Sequence, residues 1–241
     1  MLSGVVFRSS RREKRETPFI RPRVTPTQLA KVDFTELVPE PNELLGQAAV
    51  LQLESFENLA KAVAGAPTLA SKEGLSAAAG VALKKHHALI AELRRDGVEP
   101  VEVMAPFTPE LDRFREKIAG AEWSELLLGI HVTSGMLDDF FARLAAGLPH
   151  DRGARVRDIL SEAGAAEVLS AELQRAIAED PGLADRLALW GRSLVGDTLL
   201  VARNALRAAE PEGRRDEDVE PVFTELIAEH TRRMDALGLT A

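Results

Sequence analysis

From Glu43 onward, apolar residues recur every three or four positions, the spacing that lays one face of a helix against a core. The first such stretch covers about 40–64, with Leu45, Ala48, Gln52, Phe56, Leu59 and Val63 on the inner stripe. Glu54, Glu57, Asn58 and Lys61 fall on its outer face. A second helix is predicted over about 69–96, facing inward with Leu75, Ala79, Ala82, His86, Leu89 and Leu93, and stopped by Gly97. A long connection follows over 97–121, with room for one short helix. The third stripe, over 122–147, runs through Trp123, Leu127, Ile130, Ser134, Leu137, Phe141, Leu144 and Leu148. The fourth is predicted as one helix over about 153–179, using Ile159, Glu162, Ala166, Leu169 and Leu173. A fifth, over 181–209, starts at Pro181, and a sixth covers 217–237. No segment alternates with a strand period, and no repeat of solenoid length occurs.

The connection lengths give this order a topology. Short links make helices one and two antiparallel neighbours, and helices three and four likewise. The long connection between the pairs can cross the length of a bundle. The expected fold is all-α: a ferritin-like four-helix bundle of two antiparallel hairpins joined by a long crossover, with additional C-terminal helices.

Residues 1–40 carry prolines and no helical period, so they read as a flexible tail ahead of a helical domain over 41–241. Charge sharpens that boundary. Residues 1–31 hold eight Arg or Lys and two acids, a net of +6 on a chain of −8 overall, which leaves −14 for the rest. A basic arm on an acidic body suits contact with RNA through residues 1–31, or folding back on the body itself. No aromatic residues are interleaved with the "RSSRREKR" run, so base stacking is not suggested.

The 241 residues, 45% of them hydrophobic, suffice for one sizeable core. With no cysteine, disulfides, thiolate metal sites and a cysteine nucleophile are excluded. No apolar run reaches the roughly 18 residues of a membrane span, and the N-terminal apolar patch is too short for a signal core. A cytoplasmic protein without membrane contact is expected. Dinucleotide-binding, nucleotide-phosphate, zinc-protease and serine-hydrolase motifs are all missing. Trp190 in "LALWGRSLVG" reads as a packing residue, and the outer faces of helices five and six are candidates for a homodimer contact.

Several segments, in order and with compatible spacing, resemble a known family. They are "ELL" at 43–45, "APTLASK" at 66–72, "GVEPVEVMAPF" at 97–107, "EWSELL" at 122–127, "DDFFARLA" at 138–145, "AIAEDPGLADRLALWGRSLVGDTL" at 176–199 and "EHTRRMDALGL" at 229–239. The likeness is to ferritin-like proteins related to the tRNA 2-methylthio-isopentenyladenosine hydroxylase, in an actinobacterial-type branch. The resemblance implies helices that can carry a di-iron centre, built from one carboxylate on each of two helices and a carboxylate-x-x-His pair on each of the other two. Carried over, those positions fall on Gln52, on Ala82 and Lys85, on Ser134, and on Glu162 and Ala165. Of the six, only Glu162 is a good iron ligand.

The expectation is therefore a metal-free, non-catalytic member of the family, acting as a binding or scaffold protein with no cofactor and no catalytic residues. A non-haem di-iron hydroxylase remains open if the ligand placement is off by a turn. A bundle that holds a small apolar ligand where the metal would sit is a third reading.

The stretch "VALKKHHAL" at 81–89 then acquires a role. Lys85 projects toward the metal position and Glu162 toward it from the facing helix, so the two are expected to form an ion pair, with Gln52 and Ser134 supplying hydrogen bonds. The alternative is that Lys85 reaches solvent beside Lys84. His86, His131 and His230 read as hydrogen-bonded core histidines.

Overall fold

The computed structural model describes residues 38–118, 120, 122–162, 165–207 and 216–240. The basic arm at 1–31, and its proposed RNA contact, lie outside them. Among the described residues every regular element is helical. The first hairpin pairs α1 (Pro41–Gly65) with α2 (Leu69–Arg95). The crossover carries α3 (Pro100–Met104), a 3-10 turn and α4 (Thr108–Ile118). α5 (Trp123–Leu144), α6 (His150–Leu160) and α7 (Ala165–Glu179) follow, and α8 (Pro181–Arg207) and α9 (Asp216–Ala236) complete the chain.

α1, α2, α5 and α7 form the four sides of the bundle: α1 packs on α2 and α5, and α7 packs on the same two. α8 lies along the outside of α5 and touches α4, and α9 packs on α5 and α8. The predicted stripes are the buried ones. Leu45, Leu59, Leu75, Leu89, Leu93, Leu127 and Phe141 are all at most 2% exposed. Each such side chain contributes about 1.5–3 kcal/mol by leaving water.

Caps set the ends. Pro41 opens α1, and Gly97, at φ +74°, provides the left-handed residue that stops the chain after α2. Thr68 caps α2, its hydroxyl accepting from the Ser71 amide at 3.0 Å. Thr68→Ala is expected to cost about 1 kcal/mol, read as a fall in Tm of about 2–4 °C in a thermal melt.

The structure differs from the expectation in two places. The predicted fourth helix is two, α6 and α7, interrupted after Leu160. Periodicity runs through the interruption, but "SEAG" at 161–164 ends in a glycine that weakens a helix interior. The crossover also holds two helices and not one. The longer of them, α4, covers the face of α1 expected to be open: Arg115 on α4 forms a fork with both Glu54 carboxylate oxygens at 2.6 Å, and Asn58 is 2% exposed.

Candidate functional site

The first cavity of interest, of about 200 Å³, lies inside the bundle where α1, α2, α5 and the α6–α7 junction meet. All six positions singled out in the sequence line it: Gln52, Ala82, Lys85, Ser134, Glu162 and Ala165. Helical spacing explains the gathering. On α5, residues 131, 134 and 138 are one turn apart and share the inward face.

Lys85 does not reach solvent. The residue is 6% exposed, and its Nζ lies 2.7 Å from Asp138 Oδ2 and 2.8 Å from the Leu160 carbonyl oxygen. Leu160 is the last residue of α6, so its carbonyl has no donor one turn further along that helix. The interruption therefore serves the ammonium: it exposes an acceptor at the negative end of a helix dipole. Gln52 donates from Nε2 to Asp138 Oδ1 at 2.6 Å, so each oxygen of this carboxylate is engaged. Burial pushes the Asp138 carboxyl above its ordinary range, and the Lys85 ammonium and the Gln52 amide pull it back.

The expected partner of Lys85 is corrected here. Glu162 pairs with Lys84 at 2.6 Å, near the surface, with the Lys84 side chain 70% exposed. α6 ends before Glu162, which still borders the cavity while its carboxylate turns to Lys84. Asp138 takes its place. Asp138 lies one turn beyond Ser134 on the same helix, a spacing that places the two on one face. Ser134 hydrogen-bonds Ser55, at 3.1 Å, and not the ion pair.

The histidines divide. His86 is 9% exposed and donates from Nδ1 to the Ala49 carbonyl at 2.8 Å, as a core histidine should. His131 and His230 depart from that expectation. Nδ1 of His131 and both ring nitrogens of His230 are buried without a hydrogen-bond partner. Burial, and secondarily Arg233, lowers the His131 pKa to about 4 and shifts His230 in the same direction. Arg233 enters from α9 and pairs with Asp139. Its approach depends on Gly135, where a Cβ would stand 2.5 Å from Arg233 Nε. Trp190 packs on the bundle and donates to the Glu125 carbonyl at 3.0 Å.

A family model described as a ferritin-like domain of actinomycetes matches residues 39–210. The chain belongs to this ferritin-like family. The match covers α1 through α8, so it includes both hairpins and the crossover. Comparison with curated proteins gave no match.

Ferritin-like frames that hold two metals do so with four carboxylates and two histidines turned inward. The residues of this ferritin-like chain do not fit such a pair. Asp138 is engaged by Lys85 and Gln52, Asp139 by Arg233, and Glu162 by Lys84. Among the described residues no group of three or more His, Asp or Glu side chains is arranged around a common point that could take a metal ion. The same cavity also suits an apolar guest poorly, because such a guest would leave His131 Nδ1 and the buried Arg233 Nη1 unanswered. Also among the described residues, no helix is long and apolar enough to cross a membrane.

Proposed function

We propose that this protein is a metal-free, non-catalytic ferritin-like protein of the tRNA hydroxylase-like kind, working inside the cell as a binding or scaffold protein. In this reading Gln52, Ala82, Lys85, Ser134, Glu162 and Ala165 are the positions that ligate iron in catalytic relatives, and a side-chain cation has replaced the metal. One observation carries it: the Lys85 ammonium sits at the centre of the bundle, 2.7 Å from Asp138 and 2.8 Å from the Leu160 carbonyl. A divalent ion beside that ammonium would meet strong like-charge repulsion, and the nearest carboxylate is already hydrogen-bonded at both oxygens.

The test is metal content. Untagged protein purified from cells grown with added iron is expected to carry far less than one iron per chain by plasma emission analysis. About two tightly held irons per chain would overturn the reading. Lys85→Glu is the companion measurement. If iron is excluded by the ammonium, this variant gains metal affinity relative to the parent.

A further inference from the structure

α8 turns one face away from the bundle. Leu189 is 66% exposed and Leu200 53%, although both are large and apolar. They share one side of the helix with Ser193 and Gly196, which lie between them and are also exposed. The successive spacings are four, three and four residues, those of the inner positions of a coiled-coil seam. A Cβ at Gly196 would meet nothing within 4 Å, so the middle of the stripe is open to close approach.

Exposed leucines alone do not name what covers them. The charges beside this stripe do. Arg192 and Asp197 hold the two positions that flank such a seam, one on each edge. Arg192 is exposed and bonds the Ala188 carbonyl of its own helix, so its charge is unpaired among the described residues. Lys117 on α4 engages Oδ1 of Asp197 and leaves Oδ2 for a second cation. One α8 thus carries both halves of an ion pair, on opposite edges of one stripe. Two copies laid parallel bring Arg192 of each against Asp197 of the other. Antiparallel copies would set Arg192 against Arg192 and Asp197 against Asp197, so the charges select the parallel arrangement.

We propose that this face of α8 is a self-association surface, covered by α8 of a second copy of this chain in a parallel two-fold pair. Leu189, Ser193, Gly196 and Leu200 form the seam, and Arg192 pairs with Asp197 across each edge. The same patch is used on both copies, so the contact closes at a dimer. Arg186, held by Asp180, ends the apolar run one turn before Leu189, which makes the seam short and the dimer weak. No described residue of α8 lines the Lys85 cavity, so the proposal holds or fails apart from the metal-free reading.

Sedimentation equilibrium of the full chain is the test. A monomer–dimer equilibrium with a Kd of about 10–100 μM is expected, in keeping with a small interface. Leu189→Glu and Leu200→Glu change exposed positions, so both should fold, and each should weaken the dimer at least about tenfold. Arg192→Asp and Asp197→Arg should each weaken it by a similar factor, because each sets like charges together. Mixing these two variants should restore association, since each supplies the charge that the other needs. The proposal is overturned by a chain that stays monomeric up to about 500 μM, by a dimer that Leu189→Glu and Leu200→Glu leave intact, or by charge variants that fail to associate when mixed.

Discussion

Replacing Lys85 by methionine is expected to destabilise the protein by about 2–3 kcal/mol, below the usual cost of about 3–5 kcal/mol for stripping one partner from a fully buried ion pair, because the Asp138 side chain stays 21% exposed. The loss is large because the methionine leaves Asp138 in the bundle with only the Gln52 amide for company. Asp138 then takes up a proton. Its carboxyl is already raised by burial, and Lys85 is the first of the groups that oppose this. The sign of the pH effect follows. A carboxyl whose folded pKa exceeds its unfolded value binds its proton more tightly in the folded state, so acid favours the fold. The deficit of Lys85→Met against the parent should therefore shrink as pH falls toward 5.

Urea unfolding of Lys85→Met, Asp138→Leu and the double variant closes the cycle. The double variant should recover much of the loss, since two apolar side chains replace two charges. Strict additivity of the single effects would mean that the pair contributes nothing. Glu162→Leu belongs in the same series. Its partner is the exposed Lys84, so its effect should stay within about 1 kcal/mol. A Glu162 variant as damaging as Lys85→Met would restore the pairing first expected from the sequence.

That exchange of partners shows where sequence reading stops. The stripes through Leu45, Leu59, Leu75, Leu89 and Leu127 were legible because a 3.6-residue period is a local property, and burial follows it directly. The crossover topology was legible because link lengths limit how helices can be joined. The six inward positions came from resemblance, and they do converge on one cavity. The interruption after Leu160 was not legible, because Ile159, Glu162 and Leu169 keep a helical period across it. Once α6 ends there, Glu162 still borders the cavity but its carboxylate turns to Lys84, and a backbone carbonyl becomes available to Lys85. One missed break thus accounts for the misassigned carboxylate. α4 over α1 was missed for a different reason. Glu54 and Asn58 look like surface residues in their own helix, and only a segment 60 residues away, carrying Arg115, decides otherwise.

Mild acid should loosen the α5–α9 contact before it protonates most carboxylates. His131 has its pKa lowered from 6.5 to about 4, by burial first and by Arg233 second. Such a group adds nothing to stability above the unfolded pKa. As pH drops below 6.5 the unfolded chain gains a proton that the folded one refuses, and the loss grows until the folded pKa is reached. Between pH 7 and pH 4 this amounts to about 3 kcal/mol for His131. His230, lowered for the same two causes, adds to it. Asp138 works against the trend, since its raised carboxyl favours the fold in acid. Glu92 and Glu229, both lowered, work with it, but only as pH nears the carboxylate range. Comparing the parent with His131→Phe separates these contributions, because the carboxylates are common to both. The variant should match the parent within about 1 kcal/mol at pH 7.5 and exceed it by about 2–3 kcal/mol at pH 4.5. Parallel stability curves across that window would mean that His131 is protonated in the folded protein, and so that its ring has a hydrogen-bond acceptor or solvent beside it.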